Sequence, residues 1–349
     1  MRERRQVEVL IVTRWPWFLL YGGCEIQAAK YVAHATAPDV NVRLADEYQL
    51  EIDADIIHFV GTSQSTIEAL RMARARGLST VLSPVYYTTP HKELFLAGLL
   101  RMPYVSRFFA AALYQRAFCS ADLLLPNSRA EVRQLQRIFG VQPDRTVVLH
   151  NGVDEPDPDV KSDAFARTFG VEGSYVLCVS MIDPRKNTIG LIRGFLEAGL
   201  PQTQLVLVGG WRTGNSDYHA QVEALCRRNS DKVRIVGFVS DRKLLASAYK
   251  GACMHALPSF FETPGLSSLE ALTYGCNIVV GDCEPVREYF GDLPFYCNAS
   301  SAQSIAAALF ASFSQHRGAA AAALSRRFYW STIGDELANL YRRLAESRS

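Results

Sequence analysis

The sequence predicts an α/β protein built of two consecutive doubly wound domains. Three observations point that way. Short β-branched runs alternate with helical patterns along the chain, which implies parallel sheets covered on both faces. The rhythm breaks between Asn151 and Gly173 and then restarts. The chain has 349 residues, 48% of them apolar, enough for two cores at roughly 150 residues per domain.

In the first half, Val7–Val12, Val42–Leu44, Ile56–Val60, Thr80–Leu82, Leu123–Leu125 and Val147–Leu149 read as strands, because each is a short Val/Ile/Leu-rich run bounded by polar or turn residues. Glu25–His34, Ile67–Arg76, Tyr104–Cys119 and Arg129–Phe139 lie between them and carry apolar residues at helical spacing. Asp154-Glu-Pro-Asp-Pro-Asp then interrupts. Two prolines remove backbone donors and the acids gain nothing from burial, so residues 153–172 are expected to be a linker. Beyond it, Val176–Val179, Leu205–Val208, Val233–Val236, Met254–Leu257 and Ile278–Val280 read as strands. Ile189–Glu197, Asp217–Arg228, Leu244–Lys250, Leu266–Tyr274 and Ser304–Phe313 read as helices. A last helical pattern, Ser331 to Leu344, places Ile333, Leu337, Leu340, Tyr341 and Leu344 on one stripe that needs a partner surface. The expected domains are therefore 1–152 and 173–327, with 328–349 as a terminal helix packing back on the first.

Composition excludes several classes. Net charge is only +2, so neither disorder nor a nucleic-acid stripe fits. No apolar run approaches the ~18 residues of a membrane span. The N-terminus does not read as a secretory signal, because Glu3 and Glu8 interrupt its basic start. The eight cysteines form no C-x-x-C pair. They read as reduced, mostly buried thiols of a cytoplasmic protein.

Three segments carry chemistry. The sharpest is Pro258-Ser-Phe-Phe-Glu262-Thr-Pro-Gly265-Leu266-Ser267-Ser-Leu-Glu270, which follows a strand and opens a helix. Gly265 lets backbone N–H groups approach a phosphate at the helix start. Glu262 before the helix and Glu270 within it can both reach one ligand, as acceptors for sugar hydroxyls. Either acid alone would read as an ordinary cap or a solvated helix glutamate; the pair around Gly265 does not. The second segment is Asp183-Pro-Arg185-Lys186-Asn187 after a strand, where two adjacent bases suit a diphosphate, although Asp-Pro also suits a plain solvated turn. The third is Gly22-Gly23 at the first strand-to-helix turn. It permits close backbone approach but is not the G-x-G-x-x-G of dinucleotide binding.

With these residues in hand, the sequence resembles the family 4 (group 1) retaining glycosyltransferases. Glu262-x7-Glu270 with Gly265-Leu266 resembles that family's two-glutamate motif, and Val179-Ser-Met-Ile-Asp-Pro-Arg-Lys-Asn187 its G-T-I-x-P-R-K-N. His150-Asn-Gly-Val-Asp154 resembles its interdomain N-G-V-D, and Phe328-Tyr-Trp330 the segment that returns the last helix to the first domain. The resemblance implies the GT-B fold, two doubly wound Rossmann-like domains facing a central cleft. The first would be the acceptor-binding domain and the second the nucleotide-sugar-binding domain. It implies transfer of a sugar from a nucleotide diphosphate sugar to a glycan, lipid-linked or small-molecule acceptor with retained configuration. Glu262 would hold the donor sugar and Glu270 the ribose. Arg185 and Lys186 would bind the diphosphate, aided by the backbone at Leu266 and Ser267. Gly22 and Gly23 would approach from the other domain, and Phe238 and Val239 would pass near the base. The donor-side histidine falls best on His91, which reads equally well as a loop histidine capping the next helix. Glu262-Thr-Pro-Gly265 and Ser180 depart from the family's usual E-G-F-G and glycine.

No metal is expected. Asp53-Ala-Asp55 precedes its strand and Asp157-Pro-Asp159 lies in the linker, while Arg185 and Lys186 can meet the phosphate charge. The segment Lys92–Phe118 interleaves an apolar pattern with Arg101, Arg107 and Arg116. It reads first as core helices with snorkelling arginines and second as a peripheral contact with an anionic membrane at the inner face. A nucleotide-sugar-binding protein without turnover, or an epimerase or phosphorylase on the same fold, are the competing functions.

Overall fold

The structure is a computed structural model that describes residues 6–13, 23–46, 52–102, 104 and 110–347. The chain divides into two compact units, one of residues 1–152 with 328–349 and the other of residues 153–327.

In the first unit five parallel strands run in the order β2-β1-β3-β4-β5, with β1 at Val7–Val12, β2 at Val40–Leu44, β3 at Ile56–Val60, β4 at Ser79–Ser83 and β5 at Leu123–Leu124. Side chains alternate across the sheet, so Val9, Ile11, Ile56 and Val60 face one core while Ile57, Phe59 and Leu82 face another. The first core is closed by α1 (Gly23–Ala35) and by the terminal helix Trp330–Glu346. Those two helices meet closely at Gly334, where a Cβ would stand 2.2 Å from the His34 carbonyl oxygen. Arg342 clamps Asp39 with two hydrogen bonds of 2.8 Å. The other core is closed by α2 (Gln64–Ala75), α4 (Ala110–Ser120) and α5 (Arg129–Phe139).

In the second unit six parallel strands run β11-β10-β9-β6-β7-β8. They are β6 (Ser174–Val179), β7 (Thr203–Val208), β8 (Val233–Gly237), β9 (Met254–Leu257), β10 (Asn277–Gly281) and β11 (Phe295–Cys297). The helices that position its site are α7 (Thr188–Ala198), α9 (Arg242–Gly251) and α10 (Leu266–Thr273).

Two expectations are corrected. Residues 153–172 are not a bare linker: helix α6, Ala164–Phe169, sits inside them, Phe165 is fully buried, and its amide donates to Ser247 Oγ at 2.9 Å. Phe165 and Val160 bury apolar surface on the second unit, which outweighs the prolines. Val147–Leu149 forms no strand. Its amides reach Leu124 and Pro126 carbonyls at 2.9 and 3.0 Å, but β5 is only two residues long and Pro126 ends it. The helix expected before Pro103 is α3 (Pro90–Leu100), whereas α11 (Glu284–Phe290), β11 and α13 (Gly318–Ser325) have no counterpart in the sequence pattern.

Candidate active site

The carboxyl ends of β6 and β7, and those of β9 and β10, are drawn together by missing side chains. A Cβ on Gly209, after β7, would stand 1.9 Å from the Ser180 carbonyl oxygen; one on Gly281, ending β10, would stand 2.1 Å from that of Ser259. Only glycine permits those approaches. The loop after β6 is stitched to the loop after β9 by Phe260 N–H donating to the Arg185 carbonyl at 3.0 Å and by Asn187 Nδ2 donating to that of Pro258 at 3.2 Å.

Within this seam Lys186 and Glu262 form an ion pair, with only 15% and 13% of their side chains exposed. Ser259 Oγ and Thr263 N–H also donate to the Glu262 carboxylate, each at 3.3 Å. A pair so far removed from water is held by its partners, because removing one leaves the other desolvated and uncompensated. Arg185 lies beside it with an exposed side chain. Its turn is pinned by Asp183, which accepts the Arg185 N–H at 2.7 Å on one oxygen and Arg212 at 3.0 Å on the other.

Gly265, at φ +93°, turns the chain into α10. A Cβ there would meet Glu262 Cγ at 3.0 Å, so the glycine seats the glutamate as well as bending the backbone. No side chain caps α10. The first amides of an uncapped helix face outward without intrahelical acceptors and favour an anion, and here those amides belong to Leu266 and Ser267. Next to them Ser268 Oγ is buried without a hydrogen-bond partner. One turn on, Glu270 accepts a 2.6 Å hydrogen bond from Tyr249. After β8, Phe238 is 70% exposed and Val239 half-buried.

The second unit thus brings together Arg185, Lys186, Glu262, Gly265, Leu266, Ser267 and Glu270 at the carboxyl edge of its sheet, with Phe238 and Val239 at the end of the edge strand β8. Gly23 and His91 lie in the first unit, and Gly22 lies outside the described residues. Gly23 begins α1 with open space where a Cβ would go, so packing does not require its glycine. His91 is exposed and is the second residue of α3; it is not the loop cap that was one of its readings.

Two buried residues near these side chains escaped the sequence reading. His255, on β9, accepts the Val179 N–H on Nε2 at 3.3 Å and leaves Nδ1 unpartnered. Burial, and next the Lys186 charge, push its pKa down to about 3. Tyr249 is buried, and burial followed by the Glu270 carboxylate drives its phenol well above the ordinary range. Among the described residues no three His, Cys, Asp or Glu side chains are grouped so as to hold a metal ion.

Comparison with known proteins places this arrangement. Residues 160–316 match the family described as glycosyl transferases group 1, and residues 3–155 match glycosyltransferase family 4. The chain belongs to the group 1 glycosyltransferases. Its relatives include an N-acetylgalactosaminyltransferase of Campylobacter jejuni acting on N-acetylgalactosamine-N,N'-diacetylbacillosaminyl-diphospho-undecaprenol, 28% identical over 64% of this chain and 57% of the relative. A D-inositol 3-phosphate glycosyltransferase of Corynebacterium aurimucosum is 29% identical over 65% of this chain and 58% of the relative. The chain thus spans less than two thirds of these relatives' length. Among solved structures, Anabaena HepE in complex with UDP superposes with a TM-score of 0.75 at 18% identity, covering 97% of this chain and 100% of HepE. The sucrose-phosphate synthase of Thermosynechococcus elongatus does so at 0.72 and 17% identity, covering 98% and 100%. This group 1 glycosyltransferase has the GT-B fold.

Proposed function

We propose that this chain transfers a sugar from a nucleotide diphosphate sugar to a hydroxyl acceptor with retained anomeric configuration. The observation that carries the reading is the Lys186–Glu262 pair, largely buried at the open end of α10. A cation and free helix amides suit a diphosphate; a fixed carboxylate beside them suits the hydroxyls of the sugar it carries. Arg185, Lys186 and the Leu266 and Ser267 amides would hold the phosphates and stabilise the charge that grows as the nucleotide leaves. Glu262 would orient the sugar and Glu270 the ribose, with Phe238 and Val239 beside the base. Gly22, Gly23 and His91 would serve donor or acceptor from the first unit. In this reading the protein's own cations and amides neutralise the diphosphate, so no metal is required.

HepE binds UDP, which supports a uridine nucleotide as the first donor to test. The Campylobacter relative's undecaprenol-linked substrate supports a lipid-linked acceptor in glycan assembly. So does α3, which exposes Leu94 and Phe95 at 62% and 64% beside Lys92. Peripheral contact with anionic lipid at the cytoplasmic face of a membrane would follow. Within Lys92–Phe118, residues 103 and 105–109 lie outside the described residues. No helix among the described residues is long and apolar enough to cross a membrane.

The deciding experiment incubates the chain with UDP-, GDP- and ADP-sugars and simple acceptors, measures nucleoside diphosphate release, and reads the product's anomeric configuration by NMR. Release that requires acceptor, survives EDTA and yields the donor's anomer is expected. An inverted product, or full loss with EDTA restored by Mn2+, overturns the corresponding part.

A further inference from the structure

We infer that Tyr249 is the positioning residue for Glu270, and through it sets how strictly the site demands a ribose in place of a deoxyribose. The inference rests on the reading of Glu270 as the ribose acceptor and goes beyond it.

The observation is a choice of partner. Two buried tyrosines are Tyr175 on β6 and Tyr249 on α9. Tyr175 donates its hydroxyl to the Ala248 carbonyl at 2.7 Å, an ordinary way to satisfy a buried phenol. Tyr249, the next residue along α9, donates instead to Glu270 Oε2 at 2.6 Å. That is the short separation of a charge-assisted O–H···O⁻ bond. The tyrosine is itself fixed, because its ring packs edge-on to His255, centroid to centroid at 5.8 Å, and stacks with Tyr274 at 6.5 Å and 8°. Its phenol stays protonated far above neutral pH, so it remains a donor.

The consequence follows from the geometry of a carboxylate. Glu270 is half-buried on a helix, and a glutamate there has three side-chain torsions to settle. A donor locked onto Oε2 fixes the carboxylate plane and with it the lone pairs that neighbouring sugar hydroxyls would meet. A carboxylate so held cannot swing to follow a sugar that lacks one hydroxyl, so the loss is felt in full. Freed of Tyr249, it can turn to water or to the remaining hydroxyl, and the penalty shrinks.

The test is calorimetric binding of UDP, ADP and GDP, each with its 2′-deoxy and 3′-deoxy counterpart, to the full chain and to Tyr249→Phe and Glu270→Gln. For the nucleotide that binds, the wild type should prefer the ribose form by about tenfold or more. Tyr249→Phe keeps the ring and its packing and should cut that preference to about threefold or less. In a Glu270→Ala background, Tyr249→Phe should change the preference no further. If Tyr249→Phe does not fold, 3-fluorotyrosine at position 249, a stronger donor of nearly the same size, should raise the preference above the wild-type value. A wild type that does not distinguish ribose from deoxyribose overturns the ribose reading of Glu270 itself. A wild type that distinguishes them, with Glu270→Gln losing the distinction and Tyr249→Phe or the fluorinated residue leaving it unchanged, overturns only the role of Tyr249.

Discussion

Each unit buries one histidine on a strand in the middle of its sheet, and the two are used differently. His58 on β3 has both ring nitrogens engaged, Nδ1 with Tyr341 at 2.6 Å and Nε2 with Ser83 at 2.9 Å, and Tyr31 stacks on its ring. His255 on β9 has one nitrogen engaged and one unpartnered, and it lies close enough to Lys186 to feel its charge. Burial holds both down to about 3, so both are neutral in the folded protein. The first belongs to a closed polar network that anchors the terminal helix in the core. The second lies near the charged Lys186–Glu262 seam. A buried histidine is therefore a poor marker of function until its second nitrogen is accounted for.

The largest expected effect lies on the charged seam. Glu262→Gln should lower kcat about a hundredfold or more at saturating donor, because a misplaced reacting centre forfeits positioning, and it should also lower the unfolding midpoint, because Lys186 loses its buried partner. Next, His58→Ala should cost about 3 kcal/mol of stability by urea denaturation, through lost packing and two unpaired buried hydroxyls. The folded fraction should still bind nucleotide with wild-type affinity. Equal losses of nucleotide affinity in both variants would erase the contrast between the units.

Tyr341→Phe isolates one bond of the closed network and should cost about 1–2 kcal/mol, again without touching turnover. The remaining expected effect depends on pH. A histidine held near 3 when folded and near 6.5 when unfolded contributes stability that is present above 6.5. It is lost as pH falls from there towards 3, by at most about 1.4 kcal/mol per pH unit per histidine. Urea midpoints taken from neutral pH down to about 4 should fall less steeply in His58→Ala than in the wild type. An unchanged slope would mean that His58 already charges in the folded state.

Much of this was legible in the sequence, and what was not has physical reasons. Strands such as Ile56–Val60 and Met254–Leu257 are buried on both faces, so an apolar run broken only by one histidine announces each of them. Phe295–Cys297 is a three-residue edge strand and Gly318–Ser325 is an alanine-rich helix without a stripe, so neither shows a period. Residues 153–172 were misread because Pro156 and Pro158 speak locally, whereas Phe165 finds its partners on α9. In the site, Glu262, Glu270, Arg185 and Lys186 were each visible, but not that Lys186 closes on Glu262. Tyr249 gave no signal, since its partner lies 21 residues away. Arg212, which steadies the Asp183 turn from 29 residues away, was equally silent.

The terminal helix, seated at Gly334 against α1, has a further consequence for synthesis on the ribosome. The first unit is made of two segments, 1–152 and 328–349, and the second is the uninterrupted stretch between them. Trp330, Ile333, Leu337 and Tyr341 fill the core beside Val9 and Tyr31, and they emerge only after the whole second unit has been translated. Of the two units, the one begun first is thus the one completed last. Until then the β1–β3 face waits without its cover, exposed to whatever else in the cell binds unpaired apolar surface.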